Sequence, residues 1–214
     1  MPVVAAAVLV AVQWPSPPVP GDAAVAPALG EAAKPERAAD SVPATPSAPP
    51  VEYSTFDDDG VVMRCPREWR TVYVALDAEA EDHGVLSEYE FHSPNGDHRI
   101  SFTVFSLEGV EPGTAREYHQ AAETAFVGEA NVSDWRQLSL EDDPSAPSGW
   151  DTSRMEATYR DSGWNQPDRW MLWRYAVAAE ENRGYYLRFD VPESEREGYA
   201  PIAEEVFGSF ELVP

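Results

Sequence analysis

Two hundred and fourteen residues, 11% of them aromatic, suffice for one domain with a sizeable core plus shorter attachments. A net charge of −23 at pH 7 excludes nucleic acid and anionic lipid surfaces as natural partners, because such a field repels both. The single cysteine, Cys65, excludes an intramolecular disulfide, so the domain is held by its core alone.

The chain opens on an apolar stub, residues 1–14. Val3 to Val12 is an uninterrupted apolar run, too short to cross a bilayer, for which about 20 residues are needed. No Lys or Arg precedes Lys34, so the positive start of a signal peptide is missing. Two readings fit: a weak signal-like segment, or the outer half of a transmembrane helix that begins upstream of Met1, with Trp14 as its interfacial anchor. The second is preferred, and both place the folded part outside the cytoplasm, membrane-anchored or secreted. Residues 15–50 are crowded with Pro and Ala and lack large apolar groups, which predicts an extended, disordered linker. All the Tyr, all the Phe and every Trp except Trp14 follow, so residues 51–214 form the single domain. The first fifty residues hold four acids and two bases, which leaves −21 of the charge on that domain. One lysine against fourteen arginines points to a GC-rich, actinobacterial genome.

Within the domain, Tyr53 to Phe56 and Val61 to Met63 flank Asp57-Asp58-Asp59-Gly60 and predict a hairpin. The three aspartates lack the ligand spacing of a calcium loop. Thr71 to Leu76 is extended, and Glu79 to Gly84 reads as an acidic loop. Tyr89 and Phe91 alternate with Glu88 and Glu90, predicting a strand with one wet face. Pro94-Asn95-Gly96-Asp97 is a turn, after which Ile100, Phe102 and Val104 continue the antiparallel pattern. Thr114 to Val127 is a helix, opened by the Thr114/Glu117 capping box and ended at Gly128. Strands follow at Trp135 to Leu140, Trp150 to Tyr159, Trp170 to Val177 and Tyr185 to Val191, the third apolar on both sides and therefore central. A last helix opens at Ser194 with a second capping box to Glu197, and Tyr199, Ile202, Ala203, Val206, Phe207 and Phe210 form its core stripe. The expected fold is α+β, an antiparallel sheet of about seven strands with two packed helices; the absence of a βαβ rhythm excludes a parallel nucleotide-binding sheet.

The run Cys65-Pro66-Arg67-Glu68-Trp69, the mid-chain helix, the segment Gly149-Trp150-Asp151 through Tyr159 and the aromatic hairpin before the last helix resemble PsbP-like α/β domains. The resemblance covers most of 51–214. It is to the extracytoplasmic tails of actinobacterial serine/threonine kinases and related secreted proteins, and it implies a fold and a location but no activity.

Candidate chemistry is sparse. His92 and His98 flank the Pro94–Asp97 turn with Asp97 beside them, so a two-His, one-carboxylate metal site can be drawn; solvated histidines are the simpler reading, and no metal is assigned. His119 reads as a boundary residue, His83 lies in the acidic loop, and Cys65 reads as a small buried hydrophobe. No nucleophile elbow and no phosphate-cradling loop is present, so no catalytic or cofactor-binding residue is assigned. Paired acids such as Glu88 and Glu90 carry little information in so acidic a chain. A polar stripe of Arg154, Glu156, Arg174 and Arg188 is the best candidate binding surface, against a reading of plain cross-strand ion pairing. The expected function is a non-enzymatic binding or accessory domain tethered to the cell envelope. Its partner would be a small molecule, a cell-wall component or a protein. An envelope-acting enzyme or a structural helper of a secreted complex is the alternative.

Overall fold

The computed structural model describes residues 51–58, 60–82, 84–109, 113–143 and 150–212. The stub and linker (1–50), His83 and residues 144–149 lie outside these residues.

Strands β1 (Tyr53–Asp58) and β2 (Val61–Pro66) form the expected hairpin, with Asp58 opposite Val61 and Gly60 at φ 73°, where only glycine turns without strain. After β3 (Arg70–Tyr73), residues 78–82 are not a loop but a short helix, α1 (Ala78–Asp82). Asp77 explains it: its Oδ1 accepts the Ala80 N–H at 2.8 Å and its carbonyl accepts from Glu81. Strands β4 (Val85–His92) and β5 (Arg99–Ser106) pair across the 94–97 turn. Helix α2 (Ala115–Val127) carries both halves of the capping box: Thr114 Oγ1 accepts from the Glu117 N–H, and Glu117 Oε2 accepts from the Thr114 N–H at 2.8 Å. Strands β6 (Val132–Asp142), β7 (Asp151–Asp161), β8 (Asp168–Ala178) and β9 (Arg183–Pro192) follow. The last helix, α3 (Arg196–Gly208), lacks the expected capping box. The chain enters it through a 3-10 turn, Glu193–Glu195, and no side chain caps its start. A two-residue strand, β10 (Glu211–Leu212), then pairs with β2.

The main sheet has seven antiparallel strands in the order β3-β4-β5-β9-β8-β7-β6, and β1-β2-β10 form a second sheet that the sequence did not announce. One face of the main sheet packs on the small sheet and α3, burying Ile100, Phe102, Leu172, Leu187, Phe189, Ile202, Val206 and Phe207. The other face packs on α2 through Tyr118, Phe126, Met155, Trp173 and Tyr175. Edge strand β6 is broken by two register shifts, with Asp134 in the left-handed region at φ 53°, which twists the exposed edge away from foreign strands. Among the described residues, no helix is long and apolar enough to cross a membrane.

Helix α2 packs mainly on β6, β7 and β8, and reaches β5 at its end through Tyr118 and Phe105. The face of β4 expected to be wet is nevertheless buried: Glu88 is 1% exposed, and its sheet neighbours Ser101 and Thr103 are buried with it. On β9, Tyr186 is partly covered, and Arg188 and Asp190 are buried. Their burial is the main departure from the sequence pattern.

Gly184 holds a close approach in this sheet. It pairs with Phe105 across β5 and β9, and a Cβ added there falls 2.1 Å from a Phe105 ring carbon. The ring cannot retreat freely, because Tyr118 and Tyr175 lie 6.4 and 6.0 Å from its centroid. Gly184→Ala is expected to destabilise the domain by about 1–3 kcal/mol, the usual range for overpacking, read as a lowered melting midpoint.

Candidate functional site

A concave site lies where the small sheet, the 94–97 turn and α3 meet. The backbone N–H of Trp69 donates to the Pro66 carbonyl at 3.0 Å, and this tight turn after β2 swings the indole over the sheet. There it joins a ladder of rings: Phe189 and Trp69 at 5.7 Å, Trp69 and His98 at 6.1 Å, His98 and Tyr199 at 4.2 Å, all near parallel. Beside the ladder is a pocket of 710 Å³ whose walls include Pro66, Glu68, Trp69, Asn95, Tyr199 and Ile202. That volume is typical of small-molecule sites.

His98 is the fixed rung of the ladder. Its Nδ1 lies 3.1 Å from Ser93 Oγ and its Nε2 2.9 Å from a Glu195 carboxylate oxygen, so both ring nitrogens are engaged. Burial pushes its imidazole below the ordinary value, and the bond to Glu195 only partly opposes this. Glu195 is thereby drawn onto His98 at the residue that leads into α3, which accounts for a helix start without a capping box. At the rim, Arg67 pairs with Glu52 at 2.5 Å.

A second polar assembly occupies the opposite face of the sheet. Asp190 accepts from Arg169 Nε at 2.8 Å, from Arg188 Nη2 at 2.6 Å and from the Tyr159 hydroxyl. Burial alone would raise its carboxyl, but Arg169, Arg188 and Arg99 outweigh burial and hold it well below the usual carboxylate range. Trp164 lies beneath two of these cations, 4.0 Å from Arg169 and 4.9 Å from Arg99. Arg99 leads on to Glu90 at 3.4 Å, and Glu90 to His92 at 2.6 Å. Glu88 sits at the end of this row. Burial first, then Glu90, push its carboxyl up to about 7, and its Oε1 has no hydrogen-bond partner among the described residues. Arg99, Arg169, Arg188, Asp190 and Glu88 are buried, which makes the centre of the assembly a structural core of charge.

The residues singled out in the sequence are thus redistributed. His92 and His98 do not converge: the first turns to Glu90 on one face of the sheet, the second to Glu195 and Tyr199 on the other, so the drawn metal site is not assembled. Among the described residues no group of His, Cys, Asp and Glu is disposed to hold a metal. His119 is not a boundary residue but fully buried, 2.9 Å from Ser153 Oγ and against Trp173. Burial, with Arg116 second, pushes it down to about 3. Cys65 is the buried hydrophobe expected, and burial pushes its thiol up to about 12.

The arginine stripe is not one surface. Arg154 and Arg174 are directly opposite each other on the α3 face, whereas Arg188 points the other way. Nor are the partners cross-strand glutamates. Arg154 pairs with Glu204, Arg174 with Asp143 and the Phe207 carbonyl, and Glu156 with Arg196 and the Trp170 indole. The bonds to Glu204, the Phe207 carbonyl and Arg196 tie α3 to the sheet. Arg169 and Trp164 were missed as partners in the buried assembly; a lone Arg at the head of an apolar strand was the available signal.

The fold defined by this sheet and its two long helices is the PsbP/Mog1-like α+β class. Two solved structures represent it: cyanobacterial PsbP from Synechocystis sp. PCC 6803 is similar over 79% of this chain and 97% of its own, at 14% identity and a TM-score of 0.55. The Ran-binding protein Mog1p of Saccharomyces cerevisiae is similar over 77% of this chain and 97% of its own, at 10% identity and a TM-score of 0.51. No protein-family model and no curated protein sequence matches the chain.

Proposed function

We propose that this protein is a non-enzymatic accessory domain of the actinobacterial cell envelope, tethered outside the cytoplasm by its N-terminal stub and linker. Its binding site is the pocket beside the Trp69–His98–Tyr199 ladder. The observation that carries the binding role is the pocket's chemistry. Its walls offer aromatic faces, two prolines and hydrogen-bonding groups, while its histidine is engaged at both nitrogens and is no free base. The apolar run Val3 to Val12 and the Pro/Ala-rich residues 15–50 support the location.

The test uses the full chain, produced in an actinobacterial host and followed by fractionation and by protease treatment of intact cells. The protein is expected in the envelope fraction, open to protease. Purified protein mixed with isolated envelopes should co-sediment, and Tyr199→Ala should reduce the bound fraction several-fold. Cytoplasmic recovery of the wild type, or equal retention of the variant, overturns the reading.

A further inference from the structure

We infer that the pocket takes an uncharged, hydroxyl-rich ring, that is, a neutral saccharide unit, which lays its C–H face on the open face of the Tyr199 ring, with the Trp69 indole on the same pocket wall. The inference rests on the binding role proposed above and names the ligand class of that same site.

Three features of the pocket select this chemistry. The first is a platform. Trp69 and Tyr199 are half-buried, and Tyr199 ends the ladder, so a ring covers only one of its faces. A pyranose presents a patch of polarised C–H bonds that suits the electron-rich face of an aromatic ring.

The second is a set of uncommitted hydrogen-bonding groups. The Trp69 indole N–H, the Tyr199 hydroxyl and the Glu68 carboxylate bond no other described residue, although all three belong to the pocket wall. Asn95 uses its Oδ1 to hold Ser93 and the Asp97 N–H, which leaves its amide donors free. Donors and an acceptor around an aromatic face match hydroxyl groups, which both donate and accept. A purely apolar ligand would leave them unsatisfied.

The third is charge. Glu52, Glu68 and Glu195 stand in or beside the pocket, and the one cation on its wall, Arg67, is already paired with Glu52. On a chain of net charge −23, phosphate and carboxylate ligands are disfavoured, and an uncharged one is not.

The test follows the indole N–H resonances of the 15N-tryptophan-labelled full chain, with the Trp69 signal assigned through Trp69→Phe. The probes are chitotriose and cellotriose as neutral saccharides and glucose 6-phosphate as the anionic comparator. A neutral saccharide should shift the Trp69 signal saturably, and glucose 6-phosphate should not. Tyr199→Phe, which keeps the ring, should weaken binding less than Tyr199→Ala, which is expected to lose roughly tenfold. Asn95→Asp exchanges amide donors for a carboxylate at an exposed turn position, so it leaves the fold intact and should weaken binding several-fold. If neither saccharide moves the Trp69 signal while Tyr199→Ala still abolishes envelope retention, the ligand class is overturned and the binding role stands. A saccharide that binds with unchanged strength in Tyr199→Ala and Asn95→Asp overturns this site.

Discussion

Asp190→Asn is expected to be the most damaging single substitution in the domain, at about 3–5 kcal/mol. The carboxylate is 0% exposed and answers Arg169, Arg188 and the Tyr159 hydroxyl at once. An asparagine keeps the shape but leaves the two guanidiniums without their counter-charge in a region water cannot reach. The cost is that of uncompensated buried charge rather than of one lost bond. In a domain of this size it should lower the melting midpoint by on the order of 10 °C. Salt separates this effect from a surface one. The Arg67–Glu52 pair is exposed and screened by added salt, whereas the penalty at Asp190 should persist at high ionic strength. A double-mutant cycle with Arg188→Met should show strong coupling, because removing a cation lessens the imbalance left by Asp190→Asn. A variant within 1 kcal/mol of the wild type in chemical denaturation would refute this account of the cluster.

The second large effect is a stability profile in which two buried groups pull against each other as pH changes. His119, held down to about 3 against an ordinary value of 6.5, stays neutral in the folded state while the unfolded chain takes up a proton. Stability therefore falls as pH drops from 6.5 towards 3, by up to about 5 kcal/mol at 1.36 kcal/mol per pH unit. Glu88 has the opposite sign. Its folded carboxyl takes up a proton near 7 and its unfolded one near 4.5, so its contribution is fully present below 4.5 and is lost as pH rises through 7. That amounts to about 3 kcal/mol.

Between 4.5 and 6.5 the two slopes cancel, which predicts a plateau there, a decline above it and a steeper decline below it. Asp190, whose carboxyl is held down in the folded state, adds to the acid limb in the same direction as His119. Denaturant titrations across this range check the pair separately. Glu88→Gln should remove the alkaline decline and raise stability at pH 8. His119→Leu should flatten the acid limb and leave stability rising as pH falls from 7 to 4.5. Unchanged profiles in both variants would show that neither group titrates as its burial requires.

Much of the architecture was legible because it is written in local rules. Thr114 and Glu117 stand three apart before a helical stripe, and both reciprocal capping bonds form. Strand β8 is apolar on both sides and is buried on both. Trp170, Phe189 and Phe207 lie in the core. The Ser194/Glu197 pattern looked the same as the first capping box and failed, because Glu195 is engaged by His98, 97 residues away in sequence. Local spacing states what a turn can do, and a distant partner decides whether it does so.

The same limit governed the sites. Alternation of residue type along β4 and β9 correctly separates two faces, but it does not say which polar face is wet. Glu88, Glu90, Arg188 and Asp190 are polar in sequence and largely covered in the fold, and around Asp190 it is Arg169 from β8, with Trp164 of the β7–β8 turn beneath it, and Tyr159 from β7 that close in. The pocket joins residues 69, 98 and 199, whose separations carry no pattern. Sequence by itself determined the acidic charge, the single buried thiol, the two long helices, the strands of the main sheet and the two faces of each, since these depend on near neighbours and on composition. Tertiary structure alone decided which charges are buried, which histidines are engaged and where rings gather around a pocket. Those outcomes depend on contacts between segments far apart in the chain, where solvent is excluded and electrostatic energies are set.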